Sequence, residues 1–175
     1  MDNEQLKAQV ARAFEGIEYP GDWCLKGSNE GSEPIYVEEE FKGKTDWKEL
    51  DPAFLDQAPR GLGSALCFFS DEAFRFYLPA YLLADIEKKL VNVDPVFHLT
   101  HGLTDSAKAE RINPRRYGER TWFDHTSSKY AMFNAEQFRA IKTYLEAKLE
   151  DAELLDYEKD AIREAIRNYW SRRAS

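Results

Sequence analysis

Ser70-Asp71-Glu72-Ala73-Phe74-Arg75-Phe76-Tyr77-Leu78-Pro79-Ala80-Tyr81-Leu82-Leu83, running on to Leu90, is the stretch that decides the fold. Ser70 has the chemistry of an N-cap. Asp71 and Glu72 stand in the first turn, where the helix dipole favours negative charge. Phe74, Tyr77, Leu78, Tyr81, Leu82, Ile86 and Leu90 recur at helical spacing, and Phe76, Ala80, Leu83 and Ala84 carry the apolar surface almost all the way round. Such a helix has to be surrounded by other elements. Lys88 and Lys89 suit its negative end. Pro79 removes a backbone donor from the interior, so a kink or break is expected there, with the freed carbonyl near Arg75.

Working outward toward the N-terminus, Leu6, Val10, Ala13, Phe14 and Ile17 form a helical stripe opened by the pair Asp2 and Gln5 and stopped by Gly16. Residues Glu18 to Pro34 read as a loop that carries Tyr19, Trp23 and Cys24. A helix opening at about Glu33, with Pro34 in its first turn, should turn Ile35, Val37 and Phe41 inward and stop at Gly43. Asp46 to Leu50 suits a single turn. Asp51-Pro52 opens a short helix through Gln57, closed by Pro59 and Gly61. The apolar run Ser64 to Phe69 is read as extended.

Toward the C-terminus, Val91 to Phe133 is the least regular region. A helical turn follows Asp94-Pro95, a short helix is expected within Thr104 to Ile112, and a small β-hairpin within Arg120 to Phe133. Asn134 and Gln137 then open a helix with the stripe Phe138, Ile141, Leu145 and Leu149. Asp156 opens the last helix, whose inward residues are Ala161, Ile162, Ala165, Ile166, Tyr169 and Trp170. The short connection between these two predicts an antiparallel pair. The expected fold is mainly α: a single domain over residues 1–175, built around a central Pro-kinked apolar helix, with a C-terminal antiparallel helix pair and a small hairpin.

The 11 Phe, 9 Tyr and 4 Trp supply a core large enough to exclude disorder as the main reading. The net charge of −8 repels phosphate backbones and anionic lipid, which argues against general nucleic-acid or membrane binding. Two cysteines, Cys24 and Cys67, do not make a disulfide scaffold. Met1-Asp2-Asn3-Glu4-Gln5 lacks the chemistry of a signal peptide, and Phe74 to Leu83 falls short of the roughly 20 residues that span a bilayer. The expected setting is cytoplasmic, with reduced thiols.

Four sets of residues have the chemistry of a site. His98, His101 and His125, with Asp94, Asp105 and Asp124 near them in sequence, include ligand types for a metal, but no Glu base accompanies the His98–His101 pair as in metalloproteases. Arg111, Arg115, Arg116 and Arg120, interleaved with Tyr117 and Trp122, suit phosphate, carboxylate or single-stranded nucleic acid. Arg75 lies between Phe74 and Phe76 and needs a partner if buried, with Asp71 one turn earlier. Cys24 and Cys67 lie in no Cys-His motif. Phosphate-binding, dinucleotide and nucleophile-elbow motifs are absent from the sequence.

The Ser70–Leu83 stretch resembles an uncharacterised bacterial family of small helical proteins, a domain of unknown function. Phe14-Glu15-Gly16-Ile17, Phe41-Lys42-Gly43-Lys44 with Trp47, and Phe133-Asn134-Ala135-Glu136-Gln137 extend the likeness over most of the chain. The resemblance implies a helical, cytoplasmic, bacterial protein and carries over no catalytic residue.

The leading expectation is a non-enzymatic interaction domain, of adaptor or toxin-neutralising type, whose partner is another protein and which needs no cofactor. Its anchors would be Tyr19, Trp23 and Trp47. The alternative is an enzyme or a small-molecule- or metal-binding protein with a site near Pro79 that uses Arg75, Tyr77 and the histidines. A third reading binds phosphate or nucleic acid through Arg116, Trp122 and the neighbouring arginines of residues 111–122.

Overall fold

Asp2 and Gln5 close a capping box at the head of the first helix, Asn3–Ala13 (α1): the Gln5 amide donates to the Asp2 carboxylate at 2.7 Å and the Asp2 amide to Gln5 Oε1. The computed structural model describes residues 2–57 and 64–172. Glu33–Phe41 (α2) starts on Pro34 and buries Pro34, Val37 and Phe41, while Ile35 faces solvent rather than inward. Pro52–Leu55 (α3) is capped by Asp51. Pro59 and Gly61, expected to close that segment, lie outside the described residues. Ser64–Phe69 is not extended: Ala65–Cys67 forms one 3-10 turn, and only Phe69 pairs, in an isolated bridge to Lys26.

Asp71–Ile86 (α4) is the central helix, and it runs without interruption through Pro79. The expected break is absent because the residues on either side of Pro79 are buried, as Pro79 is itself. The missing hydrogen bond costs less than unpacking that apolar surface. Ser70 caps the helix, accepting from the Ala73 amide at 3.0 Å. Its hydroxyl also donates to the Cys24 carbonyl at 2.5 Å, and the Ser70 amide donates to the Leu25 carbonyl, so the cap ties the 24–27 loop to the helix start. The helix ends four residues earlier than Leu90. Lys88 adopts a left-handed conformation (φ 56°), and the Lys89 amide donates back to the Ala84 carbonyl, the closing pattern of a Schellman cap.

The chain divides into two compact units, Asp2–Pro95 and Val96–Ser175. In the first, α1, α3 and the turn Trp47–Glu49 pack on α4. Its centre is a ring cluster in which Phe41 meets Phe54, Phe69 and Tyr77 at centroid distances of 4.8–4.9 Å. A second tie crosses this unit: the Asp56 carboxylate accepts from the amides of Val91, Asn92 and Val93 and from the Asn92 side chain, at 2.8–3.1 Å.

The second unit contains Pro95–Thr100 (α5), Pro114–Tyr117 (α6), Trp122–Lys129 (α7), Ala135–Lys148 (α8) and Asp156–Ala165 (α9), the last continued by a π turn over Ile166–Trp170. Asn134 and Gln137 form the expected capping box of α8. The π turn packs on α8, and the wider turn brings Asn168, Tyr169 and Trp170 inside together. Within Arg120–Phe133 the expected hairpin is α7. Thr121 and Asp124 form a capping box, whose local bonds outweigh a weak alternation of apolar residues. Among the described residues strand pairing is limited to the two isolated bridges Lys26–Phe69 and Arg111–Thr121, and no helix is long and apolar enough to cross a membrane.

Two substitutions test these constraints. Asp56→Ala leaves three backbone donors without their acceptor and should cost about 1–3 kcal/mol in chemical denaturation, with Asp56→Asn losing less because it keeps an amide oxygen. Gly102 has φ +78°, and a Cβ there would fall 2.1 Å from Thr126 Oγ1. Gly102→Ala should therefore cost about 2–4 kcal/mol, against about 1 for Gly43→Ala, which has the same backbone sign but open space. Equal losses at the two glycines would show that the close approach to Thr126 is unimportant.

Candidate functional site

The second unit contains a pocket of about 330 Å³ between the end of α5, the 102–110 segment and the start of α7. Its walls come from Phe97 and Thr100 on α5, His101, Gly102, Thr104, Ser106, Ala107 and Glu110 on the following segment, Trp122 on α7 and Ala161 on α9. The rim is aromatic. His101 follows the last residue of α5, and its amide still donates to the Phe97 carbonyl at 2.8 Å, so the two side chains share a face and their rings stack at 4.9 Å. Trp122 meets His101 edge-on at 5.6 Å, and His125 follows Trp122 at 6.0 Å. Phe97 remains 51% exposed, an unusual position for a phenyl ring that has a core available nearby.

The pocket keeps its shape through a polar network behind it. Asn168, 3% exposed, donates to the Leu103 carbonyl at 3.0 Å and to Asp105 Oδ1 at 2.9 Å, and its oxygen accepts from Lys108 at 2.7 Å. Asp105 also pairs with Lys108 at 2.9 Å and Arg167 at 2.6 Å, and its amide donates to Glu164. Hydrogen bonds from Lys108 and Asn168 hold the Asp105 carboxyl at about 2, below the usual carboxylate range. Trp170 Nε1 donates to the Leu99 carbonyl and the Tyr130 hydroxyl to the His98 carbonyl, which fixes the last turn of α5.

This geometry separates the residues expected to form a metal site. His98 is half-buried, and burial, with Lys129 and His101 nearby, pushes its imidazole down to about 3, so it is neutral. His101 and His125 are exposed and lie in the ring series with Trp122. Asp105 is engaged with Lys108, Asn168 and Arg167, and Asp124 caps α7. Among the described residues no three His, Cys, Asp or Glu side chains come together as a set that could hold a metal ion.

The arginine segment forms a loop whose stem is the Arg111–Thr121 bridge, flanked by bonds from the Ile112 amide to the Arg120 carbonyl and from the Trp122 amide to the Glu110 carbonyl. Arg111 pairs with Glu119 at 2.5 Å, and Arg120 donates to Ser128 Oγ at 2.8 Å. Arg116 lies over the Tyr117 ring at 5.4 Å, at the exposed tip with Arg115. The stem residues Glu110 and Trp122 line the pocket; the tip residues do not.

In the first unit the expected anchors part company. Trp23 is 84% exposed, its ring laid over the backbone of Gly21. Trp47 is buried at 4% and serves the core, so it is not a surface anchor. Tyr19 is held by Asp22, to which it donates at 2.5 Å, and burial with that bond pushes its hydroxyl up to about 12. Tyr77 is wholly buried and donates to the Lys44 carbonyl at 2.8 Å. Arg75 is half-buried, and desolvation lowers its pKa. Neither residue surrounds an opened helix, since α4 is continuous at Pro79. Burial pushes the Cys24 thiol up, away from the thiolate a nucleophile requires. A wider groove of about 1010 Å³ borders α3, Lys89 and Asn92, but its Asp56 is already committed to backbone amides.

Sequence reasoning reached His101 and Trp122 and missed Phe97, Glu110 and Asn168. The i,i+4 pairing of Phe97 with His101 was readable once Asp94-Pro95 had placed a helix there. Asn168 gave no signal, because its partners lie 60 to 65 residues away.

The network makes a pH-dependent prediction. A carboxyl depressed on folding contributes stability that is present above its unfolded pKa of about 3.9 and is lost as pH falls through the folded value. Asp105 should thus weaken the second unit between about pH 4 and about 2. Asp105→Asn should flatten that part of the acid-unfolding curve relative to wild type. Asn168→Ala should cost about 1–3 kcal/mol and speed amide exchange over residues 103–108. Unchanged exchange there would remove Asn168 as the brace of the pocket.

Comparison with curated proteins and with solved structures finds no match to the chain. One family model does match, over residues 2–174, so nearly the whole chain is accounted for. The chain belongs to a family of unknown function, DUF6714.

Proposed function

We propose that this protein is a non-catalytic interaction domain, of adaptor or toxin-neutralising type, and that the pocket between α5 and α7 receives a side chain of its partner. The observation that carries this reading is the half-exposed Phe97, stacked on His101 beside Trp122 at the mouth of a 330 Å³ pocket. That volume is at the low end for ligand sites and suits one anchoring group. Aromatic side chains around a concave patch are the composition of interface hot spots. The polar groups of the lining support binding over chemistry: Thr104 and Ser106 hydroxyls bond each other at 3.0 Å, and Thr100 donates to the Val96 carbonyl at 2.9 Å. The exposed Trp23 offers a separate apolar anchor on the first unit. Nucleic-acid binding through the 111–122 loop is disfavoured, since Arg111 and Arg120 are already engaged and the chain carries −8 overall.

Affinity capture from native lysate tests the reading when wild type is run beside Phe97→Ala and Trp122→Ala. Both rings are partly solvent-facing, so the variants should fold, which circular dichroism and the melting temperature would verify. The expected result is a partner recovered stoichiometrically by wild type and reduced at least about tenfold with either variant, matching a hot-spot loss of roughly 1.4 kcal/mol or more. A partner retained equally by both variants would reject the pocket as its binding site, and recovery of none by wild type would count against the interaction reading itself.

A further inference from the structure

The pocket has a chemical polarity that narrows what can enter it. Its lining contains one carboxylate, Glu110, and, among the described residues, no lysine or arginine. Glu110 is exposed and, among the described residues, makes no ion pair. Its backbone is pinned on both sides: its amide donates to the Ser106 carbonyl at 3.1 Å, and its carbonyl accepts from the Trp122 amide at 3.0 Å. The side chain therefore extends from a backbone anchored on both sides, not from a free loop. The remaining polar side chains of the lining are the hydroxyls of Thr100, Thr104 and Ser106 and the His101 imidazole. Thr100 donates its proton to the Val96 carbonyl, and one of the Thr104 and Ser106 hydroxyls donates to the other, which leaves oxygen lone pairs on all three and one hydroxyl proton unspent. The rest of the mouth is ring surface from Phe97, His101 and Trp122.

From this we infer that the pocket takes the guanidinium of an arginine on a partner protein. The inference rests on the pocket being the interaction site. A guanidinium supplies N–H donors to the Glu110 carboxylate and the hydroxyl oxygens of the lining, carries the charge opposite to that of Glu110, and stacks flat on aromatic rings, while its methylene stem covers apolar wall. An ammonium offers a compact, strongly hydrated charge and no plane to stack, so it fits less well. The net charge of −8 adds a long-range pull on basic segments and raises the encounter rate.

The test uses the full chain, labelled with nitrogen-15, and three terminally blocked pentapeptides: Gly-Gly-Arg-Gly-Gly, its lysine counterpart and its citrulline counterpart, which keeps the shape of arginine without the charge. Chemical-shift titration should place the arginine peptide at residues 97–110 and at the Trp122 indole, with a dissociation constant on the order of 1 mM for so small an anchor. Lysine and citrulline peptides should bind about threefold or more weakly, and Glu110→Gln should weaken the arginine peptide by a similar factor while leaving the citrulline peptide unchanged. Equal binding of all three peptides, no effect of Glu110→Gln, shifts confined to other surfaces, or no binding at all would overturn the inference. Equal binding of the three within the pocket would leave the interaction reading standing, whereas that reading fails on the capture experiment with Phe97→Ala and Trp122→Ala.

Discussion

The side-chain amide of Asn168, buried in the π turn that ends α9, donates to the Leu103 carbonyl and to Asp105, and through those bonds holds the segment that builds the pocket floor. A buried amide left without partners is costly, so the turn and the 103–108 segment stabilise each other. The wider π geometry is what allows this. An α-helical turn with inward Tyr169 and Trp170 would carry Asn168 off the core face, whereas the extra residue in the turn brings all three inside. Trp170 then reaches the Leu99 carbonyl and Tyr169 the Ser127 carbonyl, so one helix end organises α5, the pocket segment and α7.

A different balance governs the first unit. Its central helix contains a proline that removes a backbone donor, and yet it stays one helix, because its surface is buried on nearly every side. Local chemistry there is overruled by packing. The same unit protects its polar groups with single-residue ties: Ser70 serves both its own helix and the Cys24 carbonyl, and Asp56 collects three successive amides of the chain that leaves α4. Such ties reach across long sequence separations to groups that would otherwise end a helix or a turn unpaired.

The functional reading depends on where aromatic surface was left outside. Trp47 and Tyr77 have the composition of anchors but are absorbed by the core, whereas Phe97, Trp122 and Trp23 keep solvent access. Aromatic count in a sequence does not distinguish these fates. The arginine loop shows the same for charge: Arg111 and Arg120 are engaged by Glu119 and Ser128, and the charge that lines the pocket is a carboxylate at the foot of the loop.

Sequence alone determined the mainly helical fold and most helix starts, since capping is a contact between residues three apart: Asp2 with Gln5, Ser70 with Ala73, Asn134 with Gln137. It also determined the apolar character of the central helix, because helical spacing is written directly into the chain. It offered a small hairpin within Arg120 to Phe133, where weak alternation hid a capping box of the same local kind that opens α7. Only the tertiary structure decided whether Pro79 would break its helix, which tryptophans would be buried, and which residues would enclose the pocket. Those outcomes rest on bonds such as Trp170 to Leu99 and Asn168 to Leu103, which join residues 71 and 65 positions apart. No local pattern encodes such pairs; they form only when competing burials over the whole unit are satisfied at once.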